Sequence, residues 1–191
     1  MNIFEFYIKK YNKFIILILG IPCSNKSQIA KELCIDLKLP LININDYIIK
    51  NKFIEKKIED VTFKLYDHEN AFDWDKLNND VKQTQDNGVI IYGNYIAIDK
   101  INWTPDFSFF IDMNKLLCKD ILLEKQMINP NYSQEKIDIY LKNILFPLFD
   151  NLLKNLKVDK FFKIKEDTTF QEFYDTFFNT LMEFIEKKIP K

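Results

Sequence analysis

The sequence predicts an α/β fold, a three-layer sandwich of helices around a five-stranded parallel sheet. Three observations lead there. Short apolar runs such as Phe14 to Leu19 carry no polar interruption, which suits strands buried on both faces. Stretches with helical spacing of apolar residues separate these runs, the alternation that builds a parallel sheet. Finally, the chain holds only three glycines, and all stand at the ends of apolar runs: Gly20 closes the first, while Gly88 and Gly93 bracket the third.

The elements follow in order. Phe14 to Leu19 is the first strand, and Ser27 to Leu39 is a helix with Ile29, Ala30, Leu33 and Leu37 on one face. Pro40 to Asn45 forms a second strand that ends near Asp46. Residues 73–87 form a helix capped by Asp73 and closed by Asn87-Gly88, and Val89 to Tyr92 is the third strand. Phe107 to Asp112 is the fourth strand, and Asn114 to Met127 is the helix after it. Asn129-Pro130-Asn131 breaks that helix before a long one from Ser133 to about Leu156, bent at Pro147. Val158 to Lys165 is the fifth strand. Thr168 caps a last helix whose stripe is Phe170, Phe173, Phe177, Leu181, Phe184 and Ile185. Residues 1–191 then make a single domain.

Composition narrows the function classes. A net charge of −1 leaves no broad basic field for nucleic acid or an acidic membrane. All 27 basic residues are lysine, so phosphate can be met only by point charges and never by the arginine fork. Three cysteines without a CxxC, and a lone histidine, speak against a disulfide framework or a His-rich metal site. No apolar run approaches the ~20 residues of a spanning helix, and the first residues lack a signal-peptide pattern. The expectation is a soluble, cytoplasmic protein; its oligomeric state is open.

Between the first strand and first helix runs Gly20-Ile-Pro22-Cys23-Ser24-Asn25-Lys26-Ser27. This is the Walker A pattern GxxxxGK(S/T) with Asn25 at the second glycine. Such a loop cradles phosphates with backbone N–H groups at a helix N-terminus. Its lysine reaches the terminal phosphates and its hydroxyl residue holds Mg²⁺, roles that fall to Lys26 and Ser27. Asparagine enters the left-handed region readily, so Asn25 can keep the turn.

The other distinctive stretch is Tyr66-Asp67-His68-Glu69-Asn70-Ala71-Phe72-Asp73-Trp74, with the only histidine and three aromatics just before a helix. Asp73 has a structural role as a cap, whereas Asp67 and His68 have none. An aspartate can hold a ribose diol and an aromatic ring can stack on a base.

With these two motifs the chain resembles the uridine kinase and nicotinamide riboside kinase group of P-loop kinases. Uridine kinases carry Asp-His-Pro-Asp-Ala-Phe-Asp, and residues 67–73 reproduce it except at Glu69 and Asn70. The likeness covers about residues 13–165. It implies a P-loop NTPase fold binding ATP and Mg²⁺, with Gly20 and residues 22–27 around the phosphates and Ser27 on the metal. It implies Asp46 as general base on a nucleoside 5′-hydroxyl, Asp67 on the ribose hydroxyls, and Tyr66 and His68 near the sugar or base. A lid over about residues 113–132 would offer Lys115, Lys119 or Lys125 to the phosphates in place of arginine, Lys119 first among them. Three features depart from the family: Tyr92 precedes Gly93 where a carboxylate is usual, no arginine can serve the lid, and Asn25 stands at the second glycine of the loop. Uridine or cytidine is the expected acceptor. Nicotinamide riboside, or binding of nucleotide without turnover, are the alternatives.

Overall fold

The computed structural model describes residues 3–124 and 132–189. The parallel sheet consists of β1 (Ile15–Gly20), β2 (Leu41–Asn43), β5 (Val89–Gly93), β6 (Phe107–Met113) and β7 (Lys160–Ile164). β3 (Ile54–Ile58) and β4 (Val61–Leu65) form a separate antiparallel hairpin. The helices are α1 (Ile3–Tyr11), α2 (Lys26–Leu37), α3 (Trp74–Thr84), α4 (Lys115–Glu124), α5 (Gln134–Tyr140), α6 (Phe146–Asn155) and α7 (Phe170–Lys188). The five parallel strands run in the order β2-β5-β1-β6-β7, with helices on both faces, as the alternating pattern predicts.

That order positions the site. From β1 the chain passes over β5 to reach the edge strand β2, and β6 later enters on the other side of β1. Ligands of open α/β sheets bind at the carboxyl ends of strands, where the winding reverses. Here that edge holds Gly20, Tyr92 and Asp112.

The core explains why these segments are strands. Every residue of β1 is buried, and β6 is buried except at Asp112 and lies between two parallel neighbours. On one face Tyr7 of α1 meets Phe14 and Phe107, and Phe177 of α7 meets Phe109 and Phe162. α2 joins the same layer, since the Tyr174 hydroxyl of α7 donates to Asp36.

Several local expectations are corrected. The second strand ends at Asn43, and Asp46 lies in a 3-10 turn, Ile44–Tyr47. Asn43 causes this: its side-chain oxygen accepts from Asn45 N and draws the backbone out of extension. Thr169, not Thr168, caps α7, because only Thr169 completes the reciprocal capping box with Glu172. The irregularity in the long helix is a π turn over Leu141–Leu145, before Pro147 and not at it. Pro147 sits in the first turn of α6, where a missing N–H costs little. Of the helix expected over 114–127, α4 accounts for Lys115–Glu124, and residues 125–127 lie outside the described residues. α1 and the β3–β4 hairpin have no counterpart in the sequence reading.

Candidate functional site

The loop from β1 to α2 is curled by two left-handed residues, Cys23 at φ 65° and Asn25 at φ 55°. Asn25 thus takes the conformation expected of the missing glycine. Gly20 is held to its identity by space, since a Cβ there would stand 2.6 Å from both the Ile111 carbonyl and Ser24 Oγ. α2 begins at Lys26, so the N–H groups of Lys26 and Ser27 have no acceptor within the helix and point out of its positive end. Ser24 is fully buried and its Oγ has no hydrogen-bond partner.

Lys26 is the electrostatic centre. Its side chain is only 8% exposed, and its Nζ donates to the Ile21 carbonyl at 3.1 Å. Burial lowers its pKa to about 8, opposed in part by Cys23, Asp67 and Cys118. A desolvated ammonium, an orphaned hydroxyl and a helix N-terminus in one turn make a site short of an anion. These residues fit a nucleoside triphosphate.

The acidic segments are brought to the same edge by backbone stitching. Ile49 N donates to the Ala71 carbonyl at 2.8 Å and Asp73 N to the Tyr47 carbonyl at 2.9 Å. Residues 47–49 therefore lie antiparallel to 71–73, which ties the turn that carries Asp46 to the segment that follows Asp67. Asp46 is exposed, with Oδ1 accepting from Asn43 Nδ2 at 2.9 Å. It faces Tyr92, whose hydroxyl is pushed up first by burial and then by the Asp46 charge. Gly93 permits this approach, because a Cβ there would meet Ile44 Cβ at 2.8 Å.

Asp67 is half-buried and within electrostatic reach of Lys26. Burial raises its pKa, and Lys26 and then His68 oppose the rise. Both ring nitrogens of His68 are buried without a hydrogen-bond partner. Asp67, His68, Glu69 and Tyr95 open onto a cavity of about 470 Å³, closed opposite by Leu148, Asn151, Leu152 and Asn155 of α6. The lining contains three carboxylates, with Asp99, and no lysine. Lys100, outside it, approaches Glu69 at 3.8 Å and Asp99 at 3.6 Å.

The structure therefore sets Asp67 and His68 on the cavity wall, with Asp67 also within electrostatic reach of Lys26 in the loop. Asp46 stands on the same sheet edge beside Tyr92 but does not line the cavity. Nor does Tyr66, which packs on Phe53 with its hydroxyl donating to the Lys50 carbonyl at 3.3 Å. Lys119 pairs with Asp138 at 2.7 Å, and Lys115 with Asp150 at 2.7 Å. Lys125 and much of the lid expected over 113–132 lie outside the described residues. Among the described residues no group of three His, Cys, Asp or Glu could hold a metal ion. Ser27, exposed at the start of α2, is the residue that fits Mg²⁺ arriving on phosphate oxygens. Sequence reasoning missed the α6 wall and Cys118, whose Sγ meets the Pro22 carbonyl at 3.4 Å. Only the fold brings these to the loop.

No family model matches the chain, and no curated protein matches it. Solved structures do. Shikimate kinase from Bacteroides thetaiotaomicron is 14% identical with a TM-score of 0.57, over 91% of this chain and 98% of its own. A gluconokinase from Sinorhizobium meliloti is 9% identical with a TM-score of 0.52, over 92% and 95%. Thymidylate kinase from Candida albicans is 16% identical with a TM-score of 0.50, over 92% of each. At such identities the likeness is one of fold. Among the described residues no helix is long and apolar enough to cross a membrane. The five-stranded parallel sheet with helices on both faces is the fold of these P-loop kinases.

Proposed function

We propose that the chain is an ATP-dependent phosphotransferase acting on the 5′-hydroxyl of a nucleoside, with uridine or cytidine as acceptor. The observation that carries this reading is that Asp67, on the wall of the cavity, stands within electrostatic reach of Lys26 in the loop: an acceptor carboxylate beside a phosphate lysine.

The chemistry is positioning and charge. Lys26 and the amides of residues 22–27 other than Pro22 hold the triphosphate, and Ser24 Oγ gains the partner it lacks. Mg²⁺ on the phosphates, held by Ser27, would neutralise charge on the transferring group. Asp67 fixes the sugar hydroxyls, and Asp46 orients the 5′-hydroxyl and takes its proton. The bond from that oxygen to the γ-phosphorus forms as the β,γ-bridge bond breaks, releasing ADP. Tyr95 and His68 offer an aromatic face and hydrogen bonds to the base.

The cavity also bears on the acceptor's charge. Three carboxylates and no lysine in the lining disfavour an anionic acceptor. A neutral nucleoside is accommodated, and so is the cationic ring of nicotinamide riboside, the nearest alternative.

A second reading, nucleotide binding without turnover, is favoured by Tyr92 at the place of a carboxylate and by the lack of an acidic metal cluster among the described residues. Turnover of Mg-ATP with uridine, cytidine and nicotinamide riboside, with Lys26→Ala as control, separates the readings. Phosphorylated uridine or cytidine formed only by the wild type supports the first. Tight nucleoside binding with no product from either protein overturns it in favour of the second.

A further inference from the structure

We propose that Cys23 and Cys118 are an oxidation site, a thiol pair that closes to a disulfide under a peroxide and draws the phosphate loop away from its anion. No disulfide joins any of the three cysteines, and the phosphotransfer reading uses the backbone of Cys23 but no thiol. Yet two of them meet across the fold. Cys118 lies in α4, fully buried, with its Sγ 3.4 Å from the carbonyl of Pro22. Its thiol is hydrogen-bonded with that of the next residue in the loop, Cys23.

The two thiols are placed for different tasks. Cys23 is half-buried, stands before the N-terminus of α2 and lies within electrostatic reach of the Lys26 ammonium. Cys23 is the more accessible of the two thiols, so it is the one that meets the oxidant. Cys118 is held protonated by its bond to Cys23 and by burial; as the resolving thiol it needs no solvent access, and its proton leaves with the sulfenic hydroxyl as water.

The chemistry balances in two steps. The Cys23 thiolate attacks one oxygen of hydrogen peroxide, giving the sulfenic acid and hydroxide as the O–O bond breaks. Cys118 then attacks the Cys23 sulfur, forming the S–S bond and releasing water, while hydrogen peroxide is the species reduced. A disulfide bond spans ~2 Å, so thiols in hydrogen-bond contact must move closer to join. α4 is anchored by the buried Cys118 and Leu122, and the loop therefore supplies the movement. Cys23 is one of the two left-handed residues that shape the cradle, so its displacement disturbs the turn that receives phosphate. A bound polyphosphate, by holding the turn, protects the pair. The effect on nucleotide binding rests on the phosphate-loop reading; the cross-link itself does not.

The test uses the full reduced chain, hydrogen peroxide and non-reducing peptide mass mapping, with a fluorescent ATP analogue to follow binding. A Cys23–Cys118 peptide is expected to appear before any modification of Cys34, and to form more slowly with ATP present. Affinity for the analogue is expected to fall at least ~10-fold and to return with dithiothreitol. Cys118→Ser is expected to give no cross-link and to show no oxidant-dependent fall in its own affinity for the analogue. Absence of the cross-linked peptide from oxidised wild type overturns the proposal, and so does its presence with binding unchanged. Failure of the reduced wild type to bind the analogue refutes the phosphate-loop reading instead, and the peptide map alone then decides whether the pair exists.

Discussion

Replacing Lys26 by methionine should make the protein more stable while removing its affinity for nucleotide. The ammonium is held in a nearly water-free position where burial lowers its pKa from 10.5 to about 8. Because the folded state disfavours the charged form, the unfolded chain binds the proton more tightly. At neutral pH that difference opposes folding by about 3 kcal/mol. Methionine keeps the length of the stem and removes the charge, but also the bond to the Ile21 carbonyl, worth ~1–3 kcal/mol. The net gain is then ~1 kcal/mol at pH 7. The pH dependence tests the cause more sharply. Between pH 8 and 10.5 the folded wild type has released the proton that the unfolded chain retains, so wild-type stability rises with pH. From pH 7 to 9.5 the wild type should gain about 2 kcal/mol relative to Lys26→Met. Tyrosines with raised pKa, such as Tyr7 and Tyr140, act in the opposite direction as pH nears 10, but they are common to both proteins and cancel in the difference. Urea unfolding of both proteins across this range measures it. A difference that stays constant with pH would refute the claim that Lys26 is a desolvated ammonium awaiting an anion.

Substitutions at four further positions probe the site from other sides. Asp46→Asn should lower kcat by ~10²–10⁴-fold with little change in KM if Asp46 takes the proton, whereas Asp67→Asn should raise KM for the nucleoside; steady-state kinetics showing the reverse split would exchange the two roles. Gly93→Ala brings a Cβ to 2.8 Å from Ile44 Cβ and should cost ~1–3 kcal/mol in a denaturant melt, displacing the turn that carries Asp46. Asn25→Gly should leave nucleotide affinity and stability near wild type, while Asn25→Val, forced to φ 55°, should lose ~1–2 kcal/mol. Equal behaviour of the two Asn25 variants would contradict a need for the left-handed turn.

Much of the fold was legible because its signals are local. A fully buried strand such as β1 needs an unbroken apolar run, and α2 needs its apolar stripe, whatever the rest of the chain does. Ile54–Ile58 and Val61–Leu65 lacked such a signal. Their turn is Glu59-Asp60, without the Asn-Gly or Gly residues that announce a hairpin, and Glu59 takes the left-handed φ of 53° by itself. The hairpin is mostly exposed and is anchored by Phe63, which packs on Tyr132 and Tyr140, a partnership no period reveals. α1 was hidden for a similar reason: Phe4 and Tyr7 matter only because Phe14 and Phe107 lie beneath them.

The site divides along the same line, and Lys119 shows where the division lies. Lys26 and Asn25 were legible because the loop's chemistry is written in consecutive residues. For Lys119 the spacing establishes only a helix face, and its partner Asp138 lies on a later helix, so the ion pair at 2.7 Å had no sequence signal. That pair does not remove Lys119 from phosphate chemistry. Both side chains keep substantial solvent access, at 31% and 47% exposure, and pairs of this kind are worth only ~0–1 kcal/mol. A triphosphate carries several negative charges against the single charge of Asp138, and Cys118, beside Lys119 in α4, already touches the phosphate loop. The structure gives Lys119 one anionic partner, Asp138, and under the proposed phosphotransfer a triphosphate would compete with that carboxylate for the ammonium.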